Sequence, residues 1–168
     1  GLGGSATNDG GFGLARALGW TFRDAAGNEI ARWTDLDRLA TAGPPPAPPE
    51  IPRLIIAGDV ANPLLGFKGA TGIYGPQKGL RADDLPKAEG CLRRLAEVLR
   101  ARTGLAAELE PGAGAAGGLG YGLRVFAGGD ASLVHGMVAE NLARRLQQLA
   151  DFVLLLAGRK IVRNRLAG

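Results

Sequence analysis

The chain has little of what most catalytic centres are built from. It carries one histidine and one cysteine, so a His/Cys metal cluster and an internal disulfide are both excluded, and the lone Cys91 fits a reducing cytoplasm. Aromatic residues make up 5% of the sequence, which leaves the interior to Leu, Ala, Val and close approach at glycine. The longest apolar run, Phe152 to Ala157, is far short of the roughly 20 residues that span a bilayer. No charged-then-apolar stretch of the signal-peptide kind stands at the start, and a cytoplasmic location is expected. The net charge is +4, but Lys and Arg are spread along predicted helices without interleaved aromatics, so neither nucleic acid nor membrane is expected as a partner. Walker and G-x-S-x-G sequences are missing. The near match Gly112-x-Gly114-x-x-Gly117 follows a possible strand, Ala106 to Leu109, but lacks an acidic residue at the ribose position. His135 is read as a helix-surface or core residue, not a general base.

What the chain has in quantity is glycine, 28 of its 168 residues. The opening stretch, Gly1-Leu2-Gly3-Gly4-Ser5-Ala6-Thr7-Asn8-Asp9-Gly10-Gly11, mixes glycines with small polar residues. Such a loop brings backbone N–H groups close to an anion. Its hydroxyls add neutral donors, and Asp9 can hold a metal ion or a substrate hydroxyl, or cap the helix that follows.

The rest of the sequence alternates between helix and strand. A short helix is predicted over Gly11 to Leu18 and stops at Gly19. Trp20 to Arg23 reads as a strand, Asp24 to Asn28 as a turn, and Glu29 to Trp33 as the returning strand. Asp35 to Ala40 has room for one or two helical turns. The proline-rich segment from Gly43 to Pro52 can be neither helix nor inner strand and reads as a stiff surface connector. Leu54 to Ala57 suits a buried strand, and Gly58-Asp59-Val60-Ala61-Asn62-Pro63 follows at its carboxyl end, where ligands collect in open α/β sheets. Leu64 to Gly79 reads as a long loop. Asp83 or Asp84 is expected to cap a helix reaching about Arg102, with Leu85, Ala88, Leu92, Leu95 and Leu99 as its apolar stripe. Arg93, Arg94, Arg100 and Arg102 fall mostly off that stripe, on a solvated face. A glycine-rich segment, Pro111 to Gly122, leads into a helix to about Phe126. A further helix over Leu133 to Leu149 and a buried strand over Phe152 to Leu156 complete a mixed α/β order.

The polar inventory on the glycine loops is Ser5, Thr7, Asn8, Asp9, Asp59, Asn62, Gln77 and Lys78. It suits a small hydroxylated anion together with a phosphate group. Phosphoryl transfer needs positioning, a cation against phosphate oxygens, and carboxylates for Mg²⁺ or a hydroxyl proton. The residues alone reach a small-anion or phosphate site on an α/β domain.

Three long segments, in order, resemble the signatures of the type I glycerate kinases: Gly3-Gly4-Ser5-Ala6-Thr7-Asn8-Asp9-Gly10-Gly11; Asp59-Val60-x-Asn62-Pro63-Leu64-Leu65-Gly66 continued by Gly69-Ala70 and Tyr74-Gly75-Pro76-Gln77-Lys78-Gly79; and Pro111 to Gly120. The resemblance covers Gly1 to about Leu154. It implies a mixed α/β domain over 1–150, incomplete at its N-terminus and like that family's second domain, with 151–168 returning towards a Rossmann-like domain. The chain would then be the middle of such an enzyme, without the flanking parts that complete it, and exposed apolar surface with low solubility would follow. The activity implied is transfer of the ATP γ-phosphate to a hydroxyl of D-glycerate with Mg²⁺, and a homodimer is compatible with it. Asp9 and Asp59 are expected as catalytic carboxylates, with Asp59 also on the metal. Ser5, Thr7, Asn8, Asn62 and Lys78 are expected to bind substrate, and Gly3, Gly4, Gly114 and Gly117 the cofactor. In one place the chain departs from the family. Where the family reads Thr-Gly-Glu-Gly-Arg followed by Asp, the glutamate position is Ala157 here, ahead of Gly158 and Arg159, and the aspartate is missing. The alternative this opens is a non-catalytic small-anion-binding or interaction domain of the same fold.

Overall fold

Glycine contacts and a handful of aromatic rings organise the architecture. The computed structural model describes residues 1–51 and 53–133. The opening loop passes into helix α1 (Phe12–Ala17), whose first turn is closed from outside by Asp9. Its carboxylate accepts the backbone N–H of Gly11 at 3.1 Å and of Gly13 at 2.9 Å. The chain leaves α1 through Gly19, at φ 89°, as the sequence predicts.

Strand β1 (Thr21–Asp24) ends in the predicted turn. There Asp24 Oδ1 accepts the N–H of Ala26 at 3.0 Å and of Asn28 at 2.9 Å. The returning strand expected over Glu29 to Trp33 does not form. One bridge joins Arg23 to Glu29, and the chain then coils into a 3-10 turn, Trp33–Arg38. The antiparallel partner of β1 is instead β2 (Leu39–Gly43), with Phe22 opposite Ala42. Burial decides this pairing. Leu36 and Leu39 are fully buried, whereas Ala31 and Arg32 face solvent.

Strand β3 (Ile55–Gly58) runs parallel to β4 (Asp130–Leu133), and Leu2 bridges Gly58 in the same direction. Expected burial of the 54–57 run holds for Ile56 at 5% exposure, but Ile55 is 52% exposed, because successive side chains point to opposite faces. Leu133, predicted to open a helix, closes β4. The rest of that helix, the strand over Phe152 to Leu156, His135, Ala157 and the domain boundary near residue 150 lie outside the described residues.

The expected loop over Leu64 to Gly79 contains helix α2 (Ala70–Tyr74) and a 3-10 turn, Pro76–Lys78. Its glycines allow tight packing: a Cβ on Gly72 would stand 2.7 Å from the Phe67 carbonyl oxygen. The expected strand over Ala106 to Leu109 is likewise a 3-10 turn, Ala107–Leu109. Helix α3 (Leu85–Thr103) buries Ala88, Cys91, Leu92, Leu95, Ala96 and Leu99, where each leucine contributes about 1.5–3 kcal/mol. Asp84 occupies its N-cap position without a side-chain bond, because the preceding 3-10 turn (Ala82–Asp84) leaves it at helical φ −89° and ψ −17°. A capping side chain needs extended backbone there. Two arginines expected on a solvated face do more than face water. Arg94 Nε donates to the Leu39 carbonyl at 2.6 Å, and Arg100 pairs with the buried Glu108 at 3.2 Å.

Helix α4 (Ala115–Ala127) carries left-handed backbone at Ala116, Gly117 and Gly118 before its regular turns begin. The scarce aromatics meet in one place. Ring centroids of Phe12 and Phe22 are 4.8 Å apart, those of Phe22 and Phe126 6.0 Å, and those of Trp20 and Phe126 5.1 Å. Below this cluster α4 crosses the start of α1 backbone to backbone: a Cβ on Gly122 would lie 2.8 Å from Gly11 Cα and 2.9 Å from the Gly10 carbonyl oxygen. Gly122→Ala is therefore expected to cost about 1–3 kcal/mol through overpacking. Gly90→Ala, at a helical position of α3 with nothing within 4 Å, is expected to stabilise by up to about 1 kcal/mol. Urea unfolding of both variants checks the pair, and equal effects would contradict the packing described.

Candidate functional site

At the carboxyl end of β3 the chain turns outward at Asp59 and Val60, and Leu2 to Ser5 run alongside. Tyr74, Gln77 and Lys78, from α2 and the turn after it, form the opposite wall with Ala116, and together these segments enclose a cavity of about 190 Å³. This is the location expected of a ligand site on parallel strands. The volume is below the roughly 300–1,000 Å³ of a pocket for a drug-sized ligand and has room for a small acid.

Lys78 is the cation of the site. Its Nζ donates to Ser5 Oγ at 2.9 Å and to the Thr7 carbonyl at 2.6 Å. An ammonium has three N–H donors, so a third is left for a ligand in the cavity that Lys78 lines. Loss of hydration pulls its pKa below the ordinary lysine value, while the Asp9 carboxylate acts in the opposite direction. A partly desolvated cation attracts an entering anion more strongly than a fully solvated surface lysine does.

The other predicted site residues separate into two groups. Gly3, Gly4, Ser5 and Asp59 line the cavity with Lys78. At Gly3 and Gly4 a Cβ would meet nothing within 4 Å, so the backbone there is open to a ligand. Asp59 is exposed, and among the described residues its carboxylate has no hydrogen-bonding partner.

The second group supports the cavity without lining it. Thr7 contributes its carbonyl to Lys78. Asn8 is buried at 5% exposure and donates through Nδ2 to Thr71 Oγ1 at 3.1 Å. Both oxygens of Asp9 are engaged by the α1 amides, so it is a helix cap that also bears on Lys78. Asn62 is held at both ends, donating to the Lys68 carbonyl and accepting from Tyr74 Oη, each at 2.8 Å. Gly114 and Gly117, expected at the cofactor, do not line this cavity and pack tightly against neighbouring backbone. A Cβ on Gly114 would strike the Pro63 carbonyl, and one on Gly117 would strike the Thr7 carbonyl and lie 2.8 Å from Lys78 Nζ.

Sequence reasoning gave no site role to Tyr74 or Ala116. Tyr74 stands four residues before Lys78, on the helix that delivers it, and that spacing was the available signal. Ala116, at φ 53°, is the one non-glycine residue with positive φ among the described residues. Left-handed backbone costs a residue with a Cβ roughly 1–2 kcal/mol, and Ala116 lines the cavity in this conformation.

Fold and cavity together define a class: an α/β unit with a small lysine-lined cavity framed by glycine-rich loops at the end of parallel strands. A model of the glycerate kinase family matches residues 1–159, and the chain belongs to that family. It is 40% identical over 165 residues to the glycerate kinase of Halalkalibacterium halodurans, covering 95% of this chain and 43% of that protein. It is 38% identical over 163 residues to the glycerate 2-kinase of Escherichia coli K12, covering 94% of this chain and 42% of that one. A solved structure from Salmonella typhimurium LT2, described as a glycerate kinase 2, superposes with a TM-score of 0.70 at 36% identity over 79% of this chain and 36% of the other. The chain thus spans about two fifths of the length of the curated relatives it matches. No helix among the described residues is long and apolar enough to cross a membrane.

The lowered pKa of Lys78 has a stability consequence of fixed sign. Between its folded-state value and the ordinary one, the unfolded chain still holds the proton that the folded chain has released. Stability of the parent relative to Lys78→Met is therefore expected to rise with pH across that window and to be flat on either side. Urea unfolding from about pH 8 to about pH 11 reads the difference, and a constant difference would contradict the desolvation of Lys78.

Proposed function

We propose that the chain forms part of an enzyme that phosphorylates D-glycerate with ATP and Mg²⁺, and that the cavity beside Lys78 receives the acid and the phosphoryl group. The observation that carries this reading is the partly desolvated Lys78 ammonium, with one donor left over, facing open glycine backbone and an unpartnered carboxylate across a small cavity.

The donor set fits the groups the family implies. Backbone at Gly3 and Gly4, Ser5 Oγ and Lys78 Nζ would hold anionic oxygens. Asp59 would be the protein's carboxylate on Mg²⁺, which usually takes only one or two carboxylates and fills its remaining positions with water and phosphate oxygens. Bound Mg-ATP supplies the transferable phosphoryl group and the metal's positive charge.

The chain's own groups orient and bind. Lys78 offsets negative charge on the transferred group. Ser5, fixed by its bond to Lys78, presents its hydroxyl to the glycerate carboxylate or to phosphate. Asp59, the carboxylate among the residues lining the cavity, would orient the glycerate hydroxyl and take its proton. Asp9 acts at one remove, capping α1 and acting on Lys78 through its charge.

ATP-dependent phosphorylation of D-glycerate should be assayed for this chain and for a version completed with the flanking segments of the Escherichia coli relative. Activity in the completed protein is expected. Asp59→Asn is expected to lower its kcat/KM by about 10²–10⁴-fold, the range of a lost acid–base group. Asp9→Asn, which keeps one oxygen for the two amides that Asp9 accepts, is expected to lose about 1 kcal/mol of stability through one lost hydrogen bond. Wild-type rates in Asp59→Asn would overturn the role given to that carboxylate. Silence of the completed protein, with D-glycerate binding retained, would favour the non-catalytic reading opened by Ala157.

A further inference from the structure

We propose that Thr71 is a positioning residue for the anion site, acting through Asn8 to keep Ser5 and Thr7 in register with Lys78. This rests on the reading of the cavity given above. Two segments distant in sequence, 5–9 and 71–78, are joined by two sets of polar cross-links. The outer set, at the cavity, is Lys78 Nζ with Ser5 Oγ and the Thr7 carbonyl. The inner one is the bond from Asn8 Nδ2 to Thr71 Oγ1 at 3.1 Å, across 63 residues of sequence.

Both partners of the inner link are sealed from water, with Thr71 at 1% exposure and Asn8 at 5%. Among the described residues Asn8 Oδ1 has no hydrogen-bond partner. Its bond to Thr71 is therefore the one side-chain hydrogen bond described for this amide, and losing it would leave the whole group buried and unpaired, a costly arrangement. The loop would relieve that cost by moving.

Asn8 sits where such movement matters. The residue before it presents the carbonyl that Lys78 grips, and the residue after it caps α1. Two residues on, the Gly10 N–H donates to the Gly117 carbonyl at 3.1 Å. On the opposite side, Thr71 belongs to α2, the helix that also carries Tyr74 and leads directly into the turn bearing Gln77 and Lys78. One buried hydroxyl thus ties the acceptor loop to the element that delivers the cation. Thr71 lines no part of the site cavity, so its effect on a ligand is indirect.

The test compares Thr71→Val, which removes the hydroxyl at nearly constant shape, with Thr71→Ser, which keeps it. Amide exchange at Gly10, the KM and kcat of the completed enzyme for D-glycerate, and the Kd for inorganic phosphate are measured in each. Thr71→Val is expected to speed Gly10 exchange and to raise both KM and phosphate Kd by about tenfold or more, with kcat changed less than about threefold. Thr71→Ser is expected to restore all three. Unchanged KM and phosphate Kd in Thr71→Val overturn the proposal, as does failure of the serine variant to restore them. If the parent binds phosphate but does not phosphorylate D-glycerate, the functional reading falls while the phosphate Kd still decides the role of Thr71. Where Thr71→Val does not fold, Thr71→Ala takes its place, and loss of folding in both makes Thr71 a structural residue and overturns its positioning role.

Discussion

The structure around the site depends on one partly desolvated cation. Lys78 reaches across from the turn after α2 and closes on Ser5 and the Thr7 carbonyl, which joins the opening loop to a segment some seventy residues away. The third glycine-rich segment completes the junction, since Gly117 lies directly against the same carbonyl and accepts the Gly10 N–H. Loss of water at Lys78 costs free energy unless the remaining donor finds an anion. An anion reaching that donor would remove a penalty already present in the fold.

The same junction explains why glycine dominates the three family segments. Where main chain must cross main chain, a Cβ at Gly114, Gly117, Gly118 or Gly122 would strike backbone. Only at Gly3 and Gly4 does the missing side chain leave open space at the cavity wall. Glycine thus has two physical tasks in one site, bringing loops together and exposing amides, and the second falls to a few positions. The aromatic cluster of Phe12, Trp20, Phe22 and Phe126 lies behind these crossings and supplies the apolar burial that glycine cannot.

Much of this was legible in the residues. The apolar stripe of α3, the stop at Gly19, the Asp24 turn and the placement of Asp59 after a parallel strand all follow from local spacing. The errors came where tertiary contacts outweigh local pattern. Glu29 to Trp33 has strand composition, yet β1 pairs with Leu39–Gly43 because Leu36 and Leu39 find burial against α3. The glycines of 64–79 suggest a loop, but they permit α2 by close packing. Within the site, the sequence supplied the residue types without the direction each side chain takes. Asn8 and Asn62 look like ligand-binding amides, yet Asn62 is bonded internally at both ends and Asn8 gives its Nδ2 to Thr71. Asp9 makes the capping bonds that its position before a helix already raised as an alternative.

The proposed function assigns D-glycerate recognition to the Lys78 cavity. Backbone amide chemical shifts during titration with D-glycerate and with Mg²⁺ plus a non-hydrolysable ATP analogue test it most directly. D-glycerate is expected to shift Gly3, Gly4, Ser5, Asp59 and Gln77, while Ala88 and Cys91, which line a separate cavity of about 300 Å³ with Trp33, stay in place. Shifts centred on Ala88 and Cys91, or none at Gly3 to Ser5, would contradict it.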